Sequence, residues 1–287
     1  MDKLELIRKI GFPDEAYEAV CDMTERAQAA GTDASLDALK PDFFAGEDVE
    51  EKIKEEAEKA GMKREELNLL FILCCADETE RRMYAQGFDG DVFLASMRDL
   101  WIWTRFCKEN HGFWGLREFK WLANTARAEL WRLGRLQFEK IPYEYEDFSY
   151  KGYSVKAGDV VLNMHIPADG PITEEVRLDS YRRAYSHFGI NVFVLDSYLL
   201  YPEHEKMLDP KSNIISLMHE YHLVRHGETE SFHNLRYIFG ETPTGTDPRT
   251  LPRDTTLRRK YAEHIEKTGV IGWGTGVMFF DGENVVR

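Results

Sequence analysis

The stretch VVLNMHIPADGPITEEVRLDSYRRAYSHFGINVFVLDSYLL, residues 160–200, decides the fold class of the second half of this chain. VVLNMHIP (160–167) is a short apolar run of the kind that forms a buried strand. Asp169-Gly170-Pro171 has the composition of a loop. Thr173 stands where a helix N-cap is expected, with Glu174 and Glu175 in the first turn, where the helix dipole favours negative charge. Val176, Tyr181, Ala184, Tyr185 and Phe188 supply an apolar face, and Gly189 ends it. NVFVLDSYLL (191–200) is a second apolar run. Strand, helix and strand form a crossover unit, which predicts two parallel, neighbouring strands.

Upstream, the texture changes at Gly134. RLQFEKI, YEYEDFSY and YSVK are aromatic-rich, partly alternating runs, separated by turn signals at Lys151-Gly152 and Ala157-Gly158-Asp159. Together with 160–167 they predict an antiparallel meander over 134–167. Downstream, 212–224 reads as a helix running into a strand and NLRYIFG (234–240) as a strand. Residues 251–269 read as a helix, with Pro252 near its start and Gly269 at its end. VMFFDGENVV (277–286) reads as a hairpin with an Asp-Gly turn, and Gly272-Trp273-Gly274-Thr275-Gly276 as a tight turn before it.

Residues 1–133 read as helices throughout. Pro13 precedes one that ends at Gly31, and 47–61 is a charged helix with a solvated face. Residues 64–87, apolar in the middle and polar at both ends, suit a central bundle helix. Leu116, Phe119, Leu122, Ala126, Leu130 and Leu133 form one apolar stripe. The tryptophans at 101, 103, 114, 121 and 131 fall on these helices and read as core. The expected organisation is therefore a helical N-terminal domain, 1–133, and a mixed domain, 134–287.

The 287 residues carry a net charge of −14 and no clustered Lys and Arg, so neither nucleic acid nor an anionic membrane is an expected partner. The N-terminus lacks the apolar core of a signal peptide, and no apolar run reaches membrane-spanning length. Cys21, Cys74, Cys75 and Cys107 form no CxxC pair, which fits reduced thiols and a cytoplasmic location.

In parallel α/β units, ligands bind beyond the C-terminal ends of the strands, near helix N-termini. That rule brings together Met164, His165 and Ile166 at one strand end, the loop with Gly170 and Thr173, and Asp196, Ser197 and Tyr198 at the other strand end. Arg177, one turn into the helix, is the nearest cation for an anion held at the helix start.

The order of meander, strand, loop, helix and strand is similar to the GNAT core. The segments LGRLQFE (133–139), LNMHIPADGPIT (162–173), LDSYLLYPEHEKMLDPKSNI (195–214), YIFG (237–240) and LPRDTTLRRKYAEHI (251–265) carry the resemblance over nearly all of 134–287. The chain resembles bacterial acyltransferase-domain proteins that pair a helical N-terminal domain with a GNAT-like C-terminal domain. The resemblance implies an α+β architecture with a central, mostly antiparallel sheet and one parallel crossover. It also implies acyl transfer from acyl-CoA to an amine, on a small molecule or a peptide. Within that chemistry His165 or Asp196 is the expected general base. Backbone N–H groups near Met164–Ile166 polarise the thioester, Tyr198 or Tyr201 protonates the leaving thiolate, and Gly170, Thr173 and Arg177 meet the cofactor. The usual pyrophosphate loop of the family has Gly-x-Gly or Gly-x-Ala. Here Asp169-Gly170-Pro171 stands instead, with a carboxylate that repels phosphate. That departure keeps a second reading in view, a non-catalytic module without its cofactor.

Two other signals compete. LVRHGETE (223–230) matches the opening motif of histidine phosphatases, with Arg225 and His226 in the phosphate pocket, but the chain lacks the long α/β domain that should follow it. His219, His222, His226 and His233 lie near one another in sequence. HEYHL is not HExxH and no carboxylate or thiol pattern completes a ligand set, so no metal is expected.

Overall fold

The computed structural model describes residues 2–230, 235–242 and 246–287. The chain divides into two compact units, Met1–Leu133 and Gly134–Arg287.

The first unit contains helices α1 (Lys3–Lys9), α2 (Asp14–Ala29), α3 (Thr32–Phe44), α4 (Glu50–Ala60), α5 (Arg64–Cys74), α6 (Ala76–Ala85), α7 (Gly90–His111) and α8 (Phe119–Ala126), then a short strand β1 (Leu130–Leu133). Helix α5 is the central one: Leu67 to Leu73 are all buried, so it presents no polar face along that run. Phe71 meets Phe43 and Phe119 with ring centroids 5.1 and 6.0 Å away. Residues 64–87 are two helices rather than the expected one. The Cys75 N–H is shared between the carbonyls of Phe71 and Ile72, which tightens the turn and separates α5 from α6.

The stripe expected over Leu116–Leu133 is helical only in its middle. Ala128, at φ 60°, takes the left-handed position after α8, and the Glu129 N–H reaches back to the Asn124 carbonyl. This is a Schellman-type stop with alanine where glycine is usual. Leu130, Trp131 and Leu133 therefore lie in β1, and Trp131 donates its indole N–H to Gln86 Oε1 at 2.8 Å. Trp114 lies outside the helices, its ring 5.9 Å from that of Trp101.

The second unit contains β2 (Leu136–Pro142), β3 (Phe148–Tyr150), β4 (Tyr153–Val155), β5 (Val160–His165), α9 (Glu174–Phe188), β6 (Val192–Ser197), α10 (His204–Met207), α11 (Asn213–Met218), β7 (His222–Thr229), α12 (Arg236–Phe239), α13 (Thr256–Thr268) and β8 (Ile271–Phe279). Within this unit the sheet order is β2-β5-β6-β8-β7. Only β5 and β6 are parallel; the other pairs are antiparallel. The crossover through α9 joins the parallel pair as the sequence order predicts.

One sheet face packs against α9, through Phe138, Phe193, Tyr181 and Phe280. The other face carries Val161, Val192, Val194, Val277 and Phe279 under the β3–β4 hairpin.

Four expectations need correction. The run 134–167 is not a meander. Tyr143 and Asp159 close the chain on itself, so β2 pairs directly with β5 while 144–157 leaves the sheet as a separate hairpin. Its turn is the expected Lys151-Gly152, both at positive φ. Residues 235–239, expected as strand, form a short helix whose Leu235, Ile238 and Phe239 bury against Tyr261 and Ile265 of α13; residue 234 lies outside the described residues. Helix α13 begins only at Thr256, capped by Thr255, with Pro252 outside it. Finally, the glycine-rich segment 272–276 lies inside β8 and is not a turn; the tail beyond β8 folds back through a single bridge, Phe280↔Val285.

Candidate functional site

The parallel pair is short. Its ladder consists of Leu162↔Phe193 and Asn163↔Val194. Beyond these residues both strands continue, each with its outer neighbour: β5 to His165, opposite Gln137 of β2, and β6 to Ser197, opposite Gly274 of β8. The two strands therefore part toward their C-terminal ends. The result is a wedge between Met164–His165 and Leu195–Ser197, where the facing main-chain edges are open to hydrogen bonds from an inserted extended ligand.

Side chains alternate along each strand, so His165 and Asp196 share one sheet face. Beside the wedge on that face, His165 Nε2 lies 2.8 Å from Glu139 Oε1, and Asn163 Nδ2 donates to the same oxygen at 2.8 Å. Both members of the His165–Glu139 pair are about three-quarters buried. Burial alone would push the Glu139 carboxyl up. The hydrogen bond and charge of His165, helped by Asn163, outweigh it and hold the group below the usual carboxylate range. Across the wedge, Asp196 Oδ2 accepts from Thr275 Oγ1 at 2.6 Å.

Ser197, Tyr198 and Tyr201 do not join His165 and Asp196 on that face. Ser197 Oγ caps the following 3-10 turn by accepting from the Leu199 N–H. Tyr198 packs against Tyr237 and Tyr261, and burial pushes its phenol up to about 12. The Tyr201 phenol donates to Glu228 Oε1 at 2.5 Å, with His264 Nε2 at 3.4 Å, and burial followed by the Glu228 contact pushes its pKa well up.

The glycines of β8 explain how these groups come so close to the sheet. A Cβ on Gly272 would sit 1.9 Å from the Tyr201 ring, one on Gly274 2.5 Å from the Leu200 carbonyl oxygen, and one on Gly276 2.7 Å from Tyr221 Cβ. The glycines line one face and Trp273 and Thr275 the other. His204 sits nearby, fully buried, with Nε2 2.5 Å from the Tyr261 hydroxyl; burial lowers its pKa to about 4.

At the end of β5, Met164 is buried and its Sδ accepts from the Tyr221 hydroxyl at 3.4 Å. Ile166 follows β5, and Gly170 lies exposed in the loop. Thr173 holds the N-cap position of α9 without a side-chain capping bond. Arg177 corrects the expectation of a cation open to phosphate. It has no exposed surface, and its guanidinium donates to Glu220 at 2.6–3.2 Å, to Ser216 Oγ at 2.9 Å and to the Ile172 carbonyl. The Tyr181 hydroxyl donates to the same Glu220 at 2.9 Å.

Another arginine occupies the loop. Arg135 Nη2 donates to the Pro167 and Gly170 carbonyls, each at 2.6 Å, and its Nε to Pro171 at 3.0 Å. Its Nη1 lies 3.3 Å from Asp169 Oδ1, so the carboxylate that would repel phosphate is paired. Neither Glu139 nor Arg135 stood out in the sequence, because both act through strand and loop pairings remote in the chain.

The LVRHGETE motif lies mainly in strand β7, with Arg225 opposite Thr275 and His226 opposite Gly274, on opposite faces; Arg225 packs over Trp273 at 5.1 Å. A phosphate pocket would need the two side by side. His222 packs against Tyr150 with tilted rings 4.1 Å apart, and His219 lies 3.3 Å from Glu205. His233 lies outside the described residues. Among the described residues no group of His, Cys, Asp or Glu gathers as a metal site would, and no helix is long and apolar enough to cross a membrane.

A mixed sheet with one splayed parallel pair bridged by a helix is the architecture of the GNAT-like fold. The chain belongs to that family. Residues 130–278 match the GNAT-like C-terminal domain and residues 1–128 the N-acyltransferase N-terminal domain. No curated protein matches. Among solved structures, an acyltransferase in complex with decanoyl-CoA and teicoplanin is 21% identical, with a TM-score of 0.72 over 95% of this chain and 86% of that one. An acyltransferase in complex with CoA and 10C-teicoplanin is likewise 21% identical, with a TM-score of 0.73 over the same shares. An acyltransferase in complex with decanoyl-CoA is 17% identical, with a TM-score of 0.66 over 96% of this chain and 99% of that one. At these identities the likeness is one of fold.

Proposed function

We propose that this protein transfers an acyl group from an acyl-CoA to an amine on a small molecule or peptide. The observation that carries this reading is the wedge between β5 and β6, which opens main-chain hydrogen-bonding edges at the start of the α9 crossover. The pantetheine arm is extended and carries two amides, so it suits such edges. Structures of the same fold hold decanoyl-CoA, one of them with teicoplanin, which supports an acyl-CoA donor and a bulky acceptor. The four free cysteines accord with a reducing, cytoplasmic setting.

In this mechanism His165, oriented by Glu139, takes the proton from the acceptor ammonium. The freed amine attacks the thioester carbonyl carbon, forming the C–N bond, while N–H groups of Met164–Ile166 stabilise the oxyanion. The C–S bond then breaks and the thiolate takes the second proton that the attacking nitrogen loses, which leaves a neutral amide and a free thiol; Tyr198 and Tyr201, held off the His165 face, take no part in that step. Asp196, on the same sheet face as His165, flanks the acceptor side. The test is thiol release on mixing acyl-CoAs of increasing length with an amine panel. His165→Ala should lower kcat by roughly 100-fold or more. Wild-type kcat in that variant removes His165 from the mechanism, and failure of every acyl-CoA to bind favours the non-catalytic module.

A further inference from the structure

The loop before α9 lacks the glycines of the usual phosphate loop, yet its main chain is held from within. Four of its carbonyls, those of Pro167, Gly170, Pro171 and Ile172, accept from just two guanidiniums, Arg135 and Arg177. Both arginines are themselves fixed. The Arg135 N–H donates to Ser180 Oγ of α9 at 2.8 Å, and Arg177 is locked by Glu220 and Ser216. A planar trans peptide sets each N–H opposite its C=O. Turning the carbonyls of Pro167, Pro171 and Ile172 onto the arginines therefore aims the N–H groups of Ala168, Ile172 and Thr173 away from them. Asp169 is drawn toward Arg135 by the same arrangement.

We infer that Arg135 is a positioning residue for the diphosphate of the acyl-CoA, with Arg177 holding the far end of the same loop. This inference rests on the acyl-CoA reading above. Arg135 touches carbonyls rather than phosphate. It sets the outward N–H row, the task that glycines perform in the usual loop, and it neutralises Asp169.

The test compares two donors, decanoyl-CoA and S-decanoyl-pantetheine, which lacks the diphosphate. In Arg135→Gln, KM for decanoyl-CoA should rise about ten- to hundredfold, the effect expected of a misplaced binding loop, with kcat nearly unchanged. The kcat/KM for S-decanoyl-pantetheine should stay at the wild-type value. If Arg135→Gln does not fold, Arg135→Lys serves, since it keeps a charge beside Asp169 but loses the fork that reaches three carbonyls; the same selective loss is expected. An unchanged KM for decanoyl-CoA, or equal losses with both donors, overturns the inference. Wild-type protein that binds neither decanoyl-CoA nor any other acyl-CoA overturns the acyl-CoA reading as well, so the two failures are distinguishable.

Discussion

Glu220→Ala is the perturbation whose size the structure fixes best. Glu220 and Arg177 both have fully buried side chains, 2.6 Å apart. Glu220 accepts from Arg177 Nε and Nη2 and from the Tyr181 hydroxyl. Removing it strands a guanidinium in a site where burial already opposes charge, and among the described residues no other carboxylate is a hydrogen-bond partner of Arg177. Breaking a buried pair on one side costs about 3–5 kcal/mol. For a unit of this size each kcal/mol moves Tm by roughly 2–4 °C, so a fall of about 6–20 °C is expected. The double variant Glu220→Met with Arg177→Met should recover most of that loss, because removing both charges together is often neutral. The assay is thermal unfolding by circular dichroism for the singles and the double. A Glu220→Ala variant within 2 °C of wild type, or a double variant as unstable as the sum of its singles, would refute a paired, desolvated bridge.

Burial lowers the His204 pKa from 6.5 to about 4, so the folded state disfavours its protonated form. The neutral group is fully accommodated above pH 6.5, and about 3 kcal/mol of stability should be lost as pH falls from 6.5 through 4. His204→Gln should flatten denaturant midpoints across that window. Glu139 is held below the usual carboxylate range, so its pairing stabilises the fold above that range and is lost as pH falls through its folded pKa. The stability gap between wild type and Glu139→Gln should therefore close in acid. Gly272→Ala places a methyl 1.9 Å from the Tyr201 ring. It should destabilise by about 1–3 kcal/mol, read as a fall in Tm.

Much of the fold was legible because local chemistry and tertiary role agree. The crossover carries its own stop at Gly189, which takes φ 66° after α9, and the apolar runs on either side have strand length. The features that escaped are those where a local signal stands for something else. Glycines at 272, 274 and 276 announce a turn, but in β8 they make room for Leu200, Tyr201 and Tyr221. Ala128 gives no stop signal, although it takes the left-handed position. The five-residue run 235–239 is too short for periodicity to separate helix from strand. For the candidate site, strand-end reasoning named His165 and Asp196, which the sheet places on one face, but not Glu139, because the Glu139↔Asn163 register belongs to a pairing across the 144–157 excursion. It also read Arg177 as a surface cation, since a charge on a helix one turn from a loop carries no sign of the Glu220 beneath it.

Amide hydrogen exchange with and without saturating decanoyl-CoA tests most directly whether the wedge is the acyl-CoA site. Slowed exchange is predicted at Met164–His165, through the loop to Val176, and at Leu195–Ser197, with β7 unchanged. Binding that leaves those amides as fast as in the free protein, or protection confined to other segments, would contradict it.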